Sequence, residues 1–308
     1  MGSLRAIEGG KGELKRLRAG VASTVQPRSA TIPPMKKSLH RVVSSMLGGT
    51  SFRAGGKTIR LRSLPEQQYQ RLPALKCCIW YNQYGGYCLP ESSLHRTAPR
   101  KILRGDVYEP ATLEFMRERC SGGDIVHAGT YFGDFLPALG SACDPGAIIW
   151  AFEPNPENFR CAQITTLIND LDNVKLRNAG LGAEQGSLAM RVKDSDGIAL
   201  GGKSHVVSSD SFSPATDIHV GIVTVDAIVP EDRPVAIVQL DVEDQEQAAL
   251  TGALKTIQRC RPIILLEVRK GNGLLQSSWF AETILSLGYR ETTKLHGNTV
   301  FECGSART

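Results

Sequence analysis

A doubly wound α/β domain over residues 120–308 is the fold this sequence predicts, and three observations predict it. Strand-like and helix-like segments alternate from Asp124 onward, with helical segments of about ten to fifteen residues between apolar strands. Pro262-Ile-Ile-Leu-Leu-Glu-Val268 is almost continuously apolar, as expected of a central parallel strand covered on both faces. The stretch Asp124-Ile-Val-His-Ala-Gly-Thr-Tyr-Phe-Gly133 is a short strand running into two glycines four apart, and Glu153 closes the next strand, Ile149 to Phe152, twenty residues after Gly133. Glycines at a strand end let backbone approach a ligand closely. An acid at the end of the following strand can accept both ribose hydroxyls, so the pair suits an adenosine.

The elements follow in order. Residues 1–60 carry twelve Lys and Arg against Glu8 and Glu13, a net +10, whereas the remainder carries −5. Rich in Gly and Ser and poor in aromatics, this stretch reads as a basic, disordered tail, with an organelle transit peptide or an electrostatic tether as its functional readings. Residues 61–119 read as a cap, with a Cys and aromatic cluster at Cys77, Cys78, Trp80, Tyr81, Tyr84 and Tyr87. The cap ends in an amphipathic helix from Glu109 to Cys120 that carries Leu113, Phe115 and Met116. Then come a strand over 125–128, a helix over 134–141 and a strand over 147–152. Asn155 is a good N-cap with Pro156 at the first helical position, opening a helix to about Asn169. Strands follow at 174–176, 188–192 and 235–240, then a helix over 245–259, the Pro262–Val268 strand and a helical segment over 278–287. A last pair of strands flanks the turn at His296-Gly-Asn298.

The 308 residues, 41% apolar and 22% charged, are ordinary for a soluble globular chain, and no apolar run approaches the roughly 18 residues of a membrane span. Eight scattered cysteines without C-x-x-C spacing read as reduced thiols of an intracellular, cytoplasmic protein. No aromatic platform interleaves the basic tail, so no specific nucleic-acid partner is expected.

The G-x-x-x-G turn lacks the third glycine of a dinucleotide fingerprint and could be a mere packing turn, but a packing turn has no need of Glu153. With no second phosphate-binding glycine and no Arg placed for a pyrophosphate, S-adenosyl-L-methionine fits better than NAD. Gln239-Leu-Asp241-Val-Glu243-Asp-Gln-Glu246 closes the strand over 235–240. An acidic helix start accounts for Asp244 and Glu246, whereas Asp241 ends an apolar strand and should face the crevice. Gly197 to Ser204 satisfies the P-loop pattern literally, but the Ser-rich, β-branched stretch after it should not open the helix that a phosphate site needs.

Taken together, Asp124 to Gly133, Phe152-Glu-Pro-Asn-Pro156, Asn178-Ala-Gly-Leu-Gly182, Thr224-Val-Asp226, Leu240-Asp-Val-Glu243 and Ile264-Leu-Leu-Glu-Val268 resemble, in order and spacing, the FkbM family of S-adenosylmethionine-dependent methyltransferases over about residues 120–303. The resemblance implies a class I methyltransferase fold, Rossmann-like, with a mostly parallel seven-stranded sheet and an antiparallel last hairpin. It also implies methyl transfer to a hydroxyl oxygen of a small molecule such as a sugar or polyketide. Carried onto this sequence, it puts His127, Gly129, Thr130 and Gly133 at the methionine end of the cofactor, Glu153 on the ribose and Asn155 beside the adenine. Asn178 to Gly180 would lie under the adenine rim, with Asp241 facing the methionine amino group or the acceptor. His127 stands where the family usually has an acid, and Tyr131 where it has a small polar residue. The Gly-Gly-Lys-Ser loop would lie near the acceptor.

A base that strips a hydroxyl proton works best with a pKa near 7, so the histidines are the candidates. His127 is expected on the cofactor and His296 in the last turn, which leaves His205 with Asp241 as the catalytic pair. Asp241, Glu243 and Glu267 could hold Mg²⁺ as hard oxygen ligands, but no metal is expected. The alternatives are a cofactor-binding protein of the same fold without turnover, and a nucleotide hydrolase built on the Gly197–Ser204 loop.

Overall fold

The structure, a computed structural model, describes residues 74–269 and 271–304 together with the backbone of two short strands at 51–54 and 57–60. Most of the stretch read as a basic tail, residues 1–50, lies outside the described residues. Two compact units divide the chain, 1–64 and 65–308. In the first, β1 (Ser51–Ala54) and β2 (Lys57–Arg60) pair as an antiparallel ribbon.

The second unit opens with the hairpin β3 (Cys77–Asn82) and β4 (Gly85–Pro90), followed by α1 (Thr97–Leu103) and α2 (Pro110–Arg119). The alternating part follows as β5 (Asp124–Ala128), α3 (Leu136–Ala142), β6 (Ile149–Phe152), α4 (Pro156–Ile168) and β7 (Val174–Arg177). Next come β8 (Gly180–Leu181), β9 (Gly186–Arg191), β10 (His205–Val207), β11 (Asp217–Val223) and the single turn α5 (Val225–Ile228). The chain closes with β12 (Val235–Leu240), α6 (Glu246–Thr251), α7 (Leu254–Cys260), β13 (Ile263–Glu267), α8 (Ser278–Thr283), β14 (Tyr289–Leu295) and β15 (Asn298–Cys303).

The main sheet has seven strands in the order β14-β15-β13-β12-β5-β6-β7, and only the pairings of β15 are antiparallel. Both faces are covered, as the apolar runs predict. Ile125, Ile149, Ile237 and Leu265 join one buried cluster, while their chain neighbours Val126, Val238, Ile264 and Leu266 join the other. The segment read as a cap packs into the first cluster through Tyr87, Cys88, Leu89 and Ile102. Gly86 and Asn169 exchange two hydrogen bonds (2.8 and 2.7 Å), and Cys88 N–H donates to Thr165 Oγ1, which tie the hairpin to α4. All eight cysteines are unpaired.

Two local expectations change. The helix expected over 245–259 breaks between α6 and α7, where the Gly252 carbonyl accepts from Asp226 N–H and the Asp226 carboxylate accepts from the Lys255 and Thr256 N–H groups in the first turn of α7, beside the close-packed Gly182. A second sheet, in the order β10-β9-β11-β8, occupies the region between β7 and β12. Its inner face holds Met190, Val220 and Ile222, and an Arg191–Asp217 fork with a buried carboxylate joins its two central strands, β9 and β11.

Candidate active site

From the central β5 the chain winds outward to β6 and β7, then returns to β12 and β13 on the other side. The sheet therefore reverses direction between β5 and β12, and a crevice outside the carboxyl ends of these strands is where open α/β sheets bind ligands. A cavity of about 330 Å³ lies there. Of the residues expected to bind or react, it brings together His127, Gly129, Glu153, Gly180, His205 and Asp241.

Gly129 makes this convergence possible. Its φ is +83°, and a Cβ would stand 1.9 Å from the Asp241 carbonyl oxygen, so only glycine lets the loop after β5 lie against the end of β12. The amides of Gly129 and Thr130 both donate to the Phe152 carbonyl at 3.1 Å, joining the same loop to β6.

Glu153 is 4% exposed and lines the cavity. Its Oε2 accepts from Tyr131 N–H and its Oε1 from Asn155 N–H, both at 2.8 Å, leaving a second lone pair on Oε2, while that on Oε1 meets Asn158 Nδ2 at 3.4 Å. Burial pushes this carboxyl up to about 8 despite those donors. Asn155 caps α4 by accepting from Glu157 N–H, and its Nδ2 donates to Ser204 Oγ. Asn178 Nδ2 donates to the carbonyls of Glu153 and Pro154, while Ala179, Gly180 and Leu181 face the cavity. Thr130, Gly133, Asn155 and Asn178 thus lie behind the cavity wall and hold the loops that form it. Thr130 Oγ1 donates to the His127 carbonyl, and Gly133, with φ +81°, packs on Leu136 and Thr165.

His127 sits opposite Gln239 in the parallel register of β5 and β12, so the two side chains meet on one face. Gln239 Oε1 can only accept, which puts a proton on His127 Nδ1 and leaves Nε2 as a bare lone pair without a partner among the described residues. Burial lowers the ring to about 4, and Phe135 stacks on it at 5.7 Å, so His127 is a neutral acceptor in the cavity wall.

Carboxylates gather at this end. Asp124 does not join them: at the start of β5 it accepts from Ile148 N–H, Trp150 Nε1 and the Arg233 fork. Asp134 does line the cavity, with Glu109, Asp241, Glu243 and Glu267. Burial, then the charge of Glu267, pushes Glu109 up to about 7. Burial, then Glu109, does the same to Asp134. Asp241 is raised by burial, then by Glu267 and Glu243. Among the described residues, no group of three or more His, Cys, Asp and Glu has a metal-holding arrangement. Among the described residues, three of seven non-glycine residues with positive φ, Glu109, Tyr131 and Glu243, line this one cavity, and such backbone strain concentrates at functional sites.

The Gly197–Ser204 loop forms the opposite wall. Gly201–Lys203 is a single 3₁₀ turn followed by strand β10, so the helix N-terminus that a P-loop needs is absent from this place. Tyr131 explains its own departure from the family pattern: its hydroxyl donates to Ser93 Oγ at 2.8 Å and its ring packs under Gly201 and Gly202. His205, half-buried, lines the cavity with Nδ1 3.1 Å from the Lys203 carbonyl. His296 is exposed, contacts Thr112 and lies outside the lining. Unforeseen lining residues are His95, Arg96, Tyr108 and Glu109 from the segment before β5, and Met190, Val220 and Ile222 from the second sheet.

A mostly parallel sheet ordered with its two halves wound outward from β5, an antiparallel β15 inserted next to the edge and a cavity at the reversal point define a class I methyltransferase fold. The methyltransferase FkbM domain matches residues 127–291, more than half of the chain. This chain belongs to the FkbM methyltransferase family, as the motifs imply. Solved structures similar to it include the FkbM methyltransferase of Methylobacillus flagellatus KT, at 19% identity and a TM-score of 0.40, covering 59% of this chain and 43% of that one. An S-adenosylmethionine-dependent methyltransferase of Aquifex aeolicus has 13% identity and a TM-score of 0.33, covering 69% and 91%. An rRNA methylase of Streptococcus thermophilus has 11% identity and a TM-score of 0.38, covering 63% and 94%. The chain therefore spans less than half the length of the Methylobacillus protein. No curated protein matches this chain. Among the described residues no helix is long and apolar enough to cross a membrane.

Proposed function

We propose that this protein transfers the methyl group of S-adenosylmethionine to a hydroxyl oxygen of a small molecule such as a sugar or polyketide. The observation that carries this reading is the convergence of Gly129, Glu153 and Asp241, from the ends of three neighbouring strands, on one cavity. The residues present fit the cofactor in chemistry. Ala179, Leu181, Met190, Val220 and Ile222 form an apolar wall suited to an adenine, and Glu153 offers two ribose hydroxyls a free lone pair on Oε2 and, on Oε1, one held only by the 3.4 Å contact from Asn158. At the other end, the orphan His127 Nε2 and Asp241 suit an ammonium and a neighbouring positive charge.

When bound, the cofactor supplies a methyl group already activated on a sulfonium. What remains for the chain is alignment of the acceptor and removal of one proton. His205 is suited to the second task, because Nδ1–H donates to the Lys203 carbonyl in the neutral ring and leaves Nε2 free to take the hydroxyl proton. Asp241, at the end of β12 beside Gly129, orients the reacting groups.

The test is a methyl-transfer assay against hydroxyl acceptors, with the product's methylated atom identified by mass spectrometry and NMR. His205→Gln is expected to lower kcat by about 10²–10⁴ with unchanged affinity for S-adenosylhomocysteine. An unchanged kcat contradicts the base assignment. Cofactor binding without transfer to any acceptor points instead to a binding protein of the same fold.

A further inference from the structure

Tyr131 stands in the turn after β5 with a φ of +55°, a left-handed conformation that an aromatic residue rarely adopts and that persists only where the surroundings over-determine it. The surroundings do so at three points. Its N–H donates to Glu153 Oε2 and its hydroxyl to Ser93 Oγ, both at 2.8 Å, and its ring lies under Gly201 and Gly202. A Cβ on Gly201, itself at a φ of +60°, would stand 2.5 Å from the Tyr131 hydroxyl oxygen, so the loop can rest on the phenol because it has no side chain there.

The loop that rests on Tyr131 carries the candidate base. Ser204 Oγ donates to the Gly201 carbonyl at 2.8 Å, closing the 3₁₀ turn, and His205 follows directly as the first residue of β10. Two asparagines join this loop to Glu153. Asn158 Nδ2 lies 3.4 Å from both Glu153 Oε1 and the Gly201 carbonyl, and Asn155, whose N–H donates to the same Oε1, reaches Ser204 Oγ with its Nδ2. Tyr131 joins both to the segment before α1. Ser93 is fully buried there, and Arg96, three residues on, donates to the Ala199 carbonyl through Nε (3.2 Å) and Nη2 (2.8 Å). The phenol therefore stands where the acid for the ribose, the loop for the acceptor and the segment before α1 meet.

We propose that Tyr131 is a positioning residue: its hydroxyl, held by Ser93, sets the 197–205 loop so that His205 faces the methyl acceptor, while its amide orients Glu153 for the cofactor. This rests on the methyltransferase reading of the cavity and adds to it the residue that places the base. The two tasks belong to different atoms, so substitution separates them.

The experiment uses the full chain and Tyr131→Phe, which removes one oxygen and keeps both the ring and the N–H to Glu153. Hydrogen exchange without cofactor is followed at the Leu200, Lys203 and Ser204 amides, which donate to the Val192, Leu200 and Gly201 carbonyls. It is expected to quicken about fivefold in the variant, the factor that one net hydrogen bond carries. Ser93→Ala is expected to do the same and the double variant no more than either, because both substitutions remove one bond. S-adenosylhomocysteine affinity, measured by calorimetry, is expected to hold in Tyr131→Phe, while kcat in the methyl-transfer assay falls about tenfold at an unchanged KM for S-adenosylmethionine. A merely structural bond would leave kcat as it is. Unchanged loop exchange, an unchanged kcat, additive effects of the two substitutions, or a loss of S-adenosylhomocysteine affinity in Tyr131→Phe overturns the proposal. If the wild type does not bind S-adenosylhomocysteine, the methyltransferase reading itself fails and takes the role of Tyr131 with it, whatever the exchange rates.

Discussion

Asp124 and Glu153 are both buried acids on neighbouring strands, and their partners separate what they do. Asp124 starts β5 at the closed end of the sheet, where two backbone and ring N–H groups and the Arg233 fork use up its oxygens. Glu153 follows β6 at the open end and has only amide partners. A buried carboxylate that loses its cation is left uncompensated, so Arg233→Ala should cost about 3 kcal/mol, the low end for buried pairs because Arg233 is 31% exposed. Urea unfolding measures this, and S-adenosylhomocysteine affinity should not change. In the sequence, Glu153 was legible because an acid after an apolar strand has few structural uses. The role of His127 was not, since it depends on the register that sets it against Gln239, 112 residues away. Asn155 and Asn178 were legible as polar residues of the right loops, but which way each side chain turns is decided by the backbone groups it meets.

At the level of elements, local signals place most of the main sheet. The apolar runs at 124–128, 149–152, 235–240 and 263–267 became its parallel centre, and Asn155-Pro156 started α4 as its capping chemistry requires. Of the second sheet, the strand expected over 188–192 became β9, whereas β8 and β10 escaped because they are two and three residues long and β11 because it is half-polar, although its Ile218, Val220 and Ile222 alternate at a strand period. The break between α6 and α7 escaped because what meets the chain there, Asp226 and the closely approaching Gly182, is distant in sequence. Close approach is also what the turn after β5 depends on. Gly129→Ala places a methyl 1.9 Å from a carbonyl oxygen at a φ of +83°, so β5 and β12 must part at their carboxyl ends. The expected outcome is a loss of about 2 kcal/mol or more in unfolding free energy, together with loss of cofactor binding. A variant with wild-type stability and affinity would contradict the account of this turn.

Across the whole molecule, the cavity's acids set a pH dependence. Glu109 and Asp134 sit near 7 and Glu153 near 8, all above their ordinary values of 4.5, 3.8 and 4.5. Between about pH 4.5 and 8 the folded state therefore holds more protons than the unfolded chain. The stability these groups contribute is fully present below their ordinary pKa and is lost as pH rises through 7 to 8. Thermal unfolding should show Tm falling from pH 6 to 8.5, less steeply in Asp134→Asn, and a Tm that rises over this range contradicts the assignment. The fold holds these charges at the one place where three strand ends and the glycine turn meet, which is the central claim. Its most direct test is calorimetric titration of S-adenosylhomocysteine into the wild type and into Glu153→Ala, with ATP in parallel and circular dichroism to verify the fold. The predicted result is binding of S-adenosylhomocysteine but not ATP by the wild type, weakened about 30-fold in a folded Glu153→Ala, as loss of two hydrogen bonds of about 1 kcal/mol each requires. Equal affinity in the two proteins, or binding of ATP alone, would contradict it.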